Sequence, residues 1–134
     1  MQTILRIIER AGGWNPGLFL KIENDPYMAL VIEAIEEGPS RLPAVSITHY
    51  GEQNGDLMRD PEMCFELKDN ELSAFYYRND YVGVEQWSRN IVRGQYVQLA
   101  NLHAQHQRFA RTWDNNLRLQ GFAEAFERHQ PTRA

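Results

Sequence analysis

The stretch His49-Tyr50-Gly51-Glu52-Gln53-Asn54-Gly55-Asp56-Leu57-Met58-Arg59-Asp60-Pro61-Glu62-Met63 decides the fold. Asn54-Gly55 favours a two-residue type I′ turn, which needs positive φ at both central positions. Upstream, Ala44 to Gln53 alternates, with Val45, Ile47 and His49 on one face and Ser46, Thr48 and Tyr50 on the other. Downstream, Met63, Phe65 and Leu67 alternate with Glu62, Cys64 and Glu66. This period of two predicts the paired strands of one hairpin.

Register follows from the same residues. A regular two-residue turn pairs positions whose numbers add to 109, which sets Ile47 against Glu62 and Ser46 against Met63. That places apolar side chains on the polar face, which a sheet with one buried side does not tolerate. One extra residue on the returning strand changes the total to 110, and Ile47 then meets Met63, Val45 meets Phe65 and Thr48 meets Glu62. Asp60-Pro61 is the place for it, because proline donates nothing to the ladder. The sequence predicts a bulged hairpin.

Other elements extend outward from it. Ile4, Ile7, Ile8 and Ala11 fall at helical spacing, and Gly12-Gly13 stops that helix. Leu18 to Glu23 predicts a strand, closed by Asn24-Asp25-Pro26. Residues 27–35 fit either a strand or a helix, and the β-branched Val31, Ile32 and Ile35 favour a strand. Leu72 to Tyr77 and Val82 to Trp87 predict two more strands around Arg78-Asn79-Asp80. From about Gln95 the period becomes helical, with Leu99, Leu102, His106, Phe109, Trp113 and Leu117 on one stripe and Gly121 at its end. The expected fold is α+β: an antiparallel sheet of five to six strands with an N-terminal helix and a long C-terminal helix packed on it.

The 134 residues suit a single domain over 1–134. No apolar run reaches the roughly 18 residues of a membrane span, and no signal-peptide pattern opens the chain. Cys64 is the only cysteine, so no internal disulfide is possible and a cytoplasmic location is expected. Charge is uneven. Residues 1–88 carry 7 basic and 15 acidic side chains, whereas residues 89–134 carry 7 arginines and 3 acids. The −8 of the first segment invites comparison with DNA mimics but is modest for that role.

The opening stretch, together with Tyr77-Arg78-Asn79-Asp80-Tyr81-Val82-Gly83-Val84-Glu85-Gln86, Trp113-Asp114-Asn115-Asn116-Leu117 and Gln120-Gly121-Phe122, resembles an uncharacterised domain family of plasmids, integrative conjugative elements and phages. The resemblance covers roughly Trp14 to Phe126. Some relatives in that family sit near or are fused to anti-restriction domains, and the resemblance implies the setting of a mobile-element accessory protein. It implies no reaction, cofactor or catalytic residue.

Three classes of function compete. The hairpin exposes Glu52, Gln53, Asp56 and Arg59, which do no core packing in the derived register, and these form the candidate contact surface for a host or element-encoded protein. A non-catalytic interaction protein, anti-defence or regulatory, is the leading expectation; no cofactor and no membrane partner are expected. A nucleic-acid binder would use Arg93, Arg108, Arg111 and Arg118, which at helical spacing share one face of the long C-terminal helix. A metal-dependent hydrolase or nuclease would need the carboxylates of 49–62 to converge with His49, or His49 to meet His103 and His106. Against that, His106 lies on the apolar stripe, so a hydrogen-bonded, half-buried imidazole is the simpler expectation. Cys64 stands between Glu62 and Glu66, acids that would raise its pKa and keep it unreactive.

Overall fold

The computed structural model describes residues 1–129. Helix α1 (Gln2–Arg10) precedes six strands: β1 (Phe19–Asn24), β2 (Tyr27–Ile35), β3 (Ala44–Gln53), β4 (Asp56–Lys68), β5 (Glu71–Asn79) and β6 (Val84–Trp87). A ribbon of β7 (Arg89–Val92) and β8 (Gln95–Gln98) follows, then α2 (Ala100–Leu119) and α3 (Phe122–His129). The six strands pair antiparallel in chain order, and all three helices cover one face. No helix among the described residues is long and apolar enough to cross a membrane.

The β3–β4 register follows the bulge. Thr48 pairs with Glu62, Ile47 with Met63 and Val45 with Phe65, whereas Tyr50 pairs with Arg59 and Gly51 with Met58. Two residues, Asp60 and Pro61, therefore oppose His49. Asn54 and Gly55 have φ of 53° and 85°, as a type I′ turn requires. Ile47, Met63 and Phe65 are fully buried against the helices, beside Ile4, Ile7 and Leu117. Burying each such side chain contributes about 1.5–3 kcal/mol, so the displaced register would forfeit several of these contributions at once.

A second bulge was not expected. Cys64 pairs with Tyr76 and Phe65 with Ala74, which leaves Phe75 unpaired. Phe75 and Tyr76 consequently pack together on the outer face with Ala44 and Cys64, covered by Trp87. Burial, more than Glu62, raises the Cys64 thiol to about 12.

The helical period expected from Gln95 starts too early. Arg93-Gly94, with φ of 53° and 77°, makes a tight turn that pairs Ile91 with Tyr96 and Val92 with Gln95. The helix begins only at Ala100, Leu99 is half exposed at its N-cap, and Arg93 lies in the turn, off the helix. The last sheet strand likewise begins at Val84 rather than Val82, because β5 runs on to Asn79.

The ribbon is tied down by charge. Arg89 Nη1 lies 2.7 Å from Glu66 Oε1, and both side chains are buried. Arg89 also donates to the Ala74 and Ser73 carbonyls, while Glu66 Oε2 accepts from the N–H groups of Ser40 and Leu42. Helix α1 has no side-chain cap of its own, and Asp114 of α2 fills that role for the N–H of Thr3 at 3.1 Å.

Two substitutions check these features by chemical denaturation. Glu66→Ala strands the Arg89 charge in the interior and should cost about 3–5 kcal/mol. Gly55→Val has free space around it but must adopt positive φ, and should cost about 1–2 kcal/mol.

Candidate functional site

The β3–β4 hairpin runs past its neighbours. Pairing of β3 with β2 ends at His49, and pairing of β4 with β5 ends at Glu62, so residues 50–59 continue as a two-stranded projection. In a regular ladder Tyr50, Glu52, Leu57 and Arg59 share the outer face, away from the helices. Gln53 and Asp56 face the other way with Gly51 and Met58. The four residues expected to form one contact surface are thus divided between two sides of the ribbon.

Their environments differ as well. Glu52, Gln53 and Asp56 are exposed and make no side-chain hydrogen bond or ion pair among the described residues. Arg59 is engaged. Its Nε donates to Asp80 Oδ2 at 3.0 Å, and its Nη1 lies 3.6 Å from Glu62 Oε1. Asp80 also accepts from the Arg59 backbone N–H at 2.8 Å and from Arg78 Nε at 2.9 Å. The Arg59 N–H leads these contacts in holding the Asp80 carboxyl down at about 2. This network stiffens the foot of the projection, and Tyr81 packs closely on Gly51 above it.

A groove of about 450 Å³ opens beside the hairpin on the outer face. Phe19, Ala29, Val31, Tyr50 and Leu57 supply its apolar surface, and Lys21, Glu23 and Glu33 its rim. Leu57 is 71% exposed and Phe19 58%, and both large apolar groups line this one groove. The groove joins β1, β2 and the hairpin. Its sequence signal was the outward phase of Phe19 and Lys21, opposite Leu18, Leu20 and Ile22.

The histidines occupy structural positions. His106 is buried, with Nδ1 3.0 Å from Ser88 Oγ and Nε2 3.0 Å from Gln86 Oε1. It locks the β6–β7 junction to α2. His103 Nε2 is 3.4 Å from Ser73 Oγ. His49 faces the helices, against Trp113 and Phe122 at centroid distances of 5.5 and 5.4 Å. Among the described residues no group of three or more His, Cys, Asp or Glu side chains could hold a metal ion. Arg108, Arg111 and Arg118 are exposed on α2, and Arg118 donates to Asn115 Oδ1 at 2.8 Å.

The chain belongs to the family described as Domain of unknown function (DUF6908), whose model matches residues 2–123. No curated protein and no solved structure matches it.

The imidazoles predict how stability varies with pH. His49, His103 and His106 all titrate below the ordinary 6.5, chiefly because burial disfavours their charged forms. The unfolded chain therefore binds protons first as the pH falls. Stability should be level from 6.5 up towards 9.0, the ordinary value of the thiol that burial raises at Cys64, and decline below 6.5, with a further loss below 3.8 as Asp80 is protonated. Thermal melting from about pH 8 to about pH 5 should show a falling Tm. A constant Tm would contradict buried neutral imidazoles.

Proposed function

We propose that this member of the family is a non-catalytic interaction protein that grips a protein partner between the 50–59 projection and the groove beside it. The observation that carries this is that one open groove is lined by two large apolar side chains left largely exposed, Phe19 from β1 and Leu57 from the hairpin. An apolar centre with a polar rim is the anatomy of a protein contact. Glu33 and Glu52 on this face make no ion pair among the described residues, so the complementary surface is an apolar anchor flanked by basic residues. The mobile-element setting implied by the sequence resemblance belongs to this proposal: the partner is a host or element-encoded protein met in the cytoplasm, and the outcome is anti-defence or regulatory.

Nucleic-acid binding is the second reading, favoured by one observation. Asp114, the only acid of α2, is spent on the α1 N-terminus, which leaves Arg108 and Arg111 without an ion pair among the described residues.

Affinity capture from the native host, with mass spectrometry of the co-eluting proteins, separates the two. Leu57→Asp with Glu52→Ala should leave Tm unchanged and weaken the captured partner's binding roughly tenfold or more. Arg108→Ala with Arg111→Ala should leave that binding intact. If the arginine pair instead abolishes a salt-sensitive interaction with DNA or RNA, and the hairpin variant changes nothing, the first reading fails and the second stands.

A further inference from the structure

The bulge leaves a cavity of about 210 Å³ on the helix side of the sheet, at the foot of the hairpin. Tyr27, His49, Asp60, Trp113, Asn116 and Gln120 line it. These come from β2, the β3–β4 bulge and the end of α2, and Asn79 reaches Asp60 from β5. The stretches that carry the family resemblance thus meet at one place.

Its chemistry favours positive charge. Asp60 Oδ1 accepts from Asn79 Nδ2 at 2.8 Å, yet the carboxylate has no ion pair among the described residues. Helix α2 ends here with Gln120 as its C-cap, whose carbonyl accepts from Asn24 Nδ2 at 2.8 Å. Helix α3 begins two residues on, so the two helix dipoles offset each other and the Asp60 carboxylate supplies the charge. Arg118, the only base in that last turn, bonds to Asn115 in an exposed contact. Asn116 and Gln120 offer carboxamide oxygens, and Tyr27 and Trp113 offer aromatic surface. His49 Nδ1 is 3.3 Å from the Ala29 carbonyl, and burial keeps the ring neutral near pH 7, so it adds no competing charge. The volume is below the roughly 300–1,000 Å³ of ordinary small-molecule pockets, which restricts an occupant to side-chain size.

We propose that this cavity is a binding site for a compact organic cation of the guanidinium or primary ammonium class, with Asp60 as its counter-ion. The occupant is either a free small molecule or an arginine or lysine side chain presented by another protein. The site is on the opposite side of the sheet from the groove and stands independently of it.

The probe is methylguanidine, titrated into the ¹⁵N-labelled protein, with methylurea as its neutral counterpart. The indole N–H of Trp113, which is buried without a hydrogen-bond partner, and the side-chain amides of Asn116 and Gln120 are the reporters. Methylguanidine should shift them saturably, methylurea should not, and Asp60→Asn should lose roughly tenfold in affinity or more. The carboxamide introduced by that substitution keeps an acceptor for Asn79, so Tm should hold within a few degrees. An arginine capped at both ends distinguishes the sources. Tighter binding than methylguanidine assigns the site to a protein side chain, and weaker binding to a free cation. Equal response to methylurea, no response to methylguanidine, or unchanged affinity in a folded Asp60→Asn variant would each overturn the proposal. The comparison of the two probes on the unaltered chain decides the matter even if that variant does not fold.

Discussion

At His49 one residue of β3 faces two of β4, and the side on which the central apolar groups fall depends on that count. Beyond the bulge, Met63 and Phe65 join Val45 and Ile47 under the helices, while Glu62 and Cys64 join Ser46 and Thr48 on the outer face. Without the extra residue the two strands would offer opposite faces to the same core. Strand side chains alternate strictly, so a slip of one position inverts all of them. The bulge also shapes the surface. It ends the regular ladder where the hairpin leaves its neighbours, and it opens the cavity beside Asp60.

Electrostatics fixes the periphery around that core. The acidic first two-thirds and the arginine-rich last third meet inside the molecule through Glu66 and Arg89. A buried ion pair adds little net stability but tolerates few alternative partners, so it selects the position of the β7–β8 ribbon. At the other end of the sheet, Asp80 gathers Arg59 and Arg78. Both networks draw arginines out of the exposed pool, whereas Arg108, Arg111 and Arg118 stay exposed along α2.

Much of the sheet was legible because its signals are local. Asn54-Gly55, the alternation of Val45 to His49 and the proline at 61 suffice to predict turn, faces and bulge. The ribbon was missed because its strands have only four residues each and are almost wholly exposed, so no apolar alternation marks them; Arg93-Gly94 was the one available signal. The Phe75 bulge was illegible because its consequence, two successive aromatics on one face, looks like ordinary core composition. At the candidate site, the exposure of Glu52, Gln53 and Asp56 could be read from the turn. Arg59 was misjudged as free because its partner Asp80 lies 21 residues away. The groove and the cavity draw on strands and a helix that only tertiary packing brings together.

Cross-strand nuclear Overhauser contacts in the labelled protein test the bulge most directly. The register predicts contacts of Ile47 with Met63 and Thr48 with Glu62 on one side of His49, and of Tyr50 with Arg59 and Gly51 with Met58 on the other. Contacts of Ile47 with Glu62 and Ser46 with Met63 would mean an unbroken ladder, and would contradict the placement of the core, the hairpin and the cavity together.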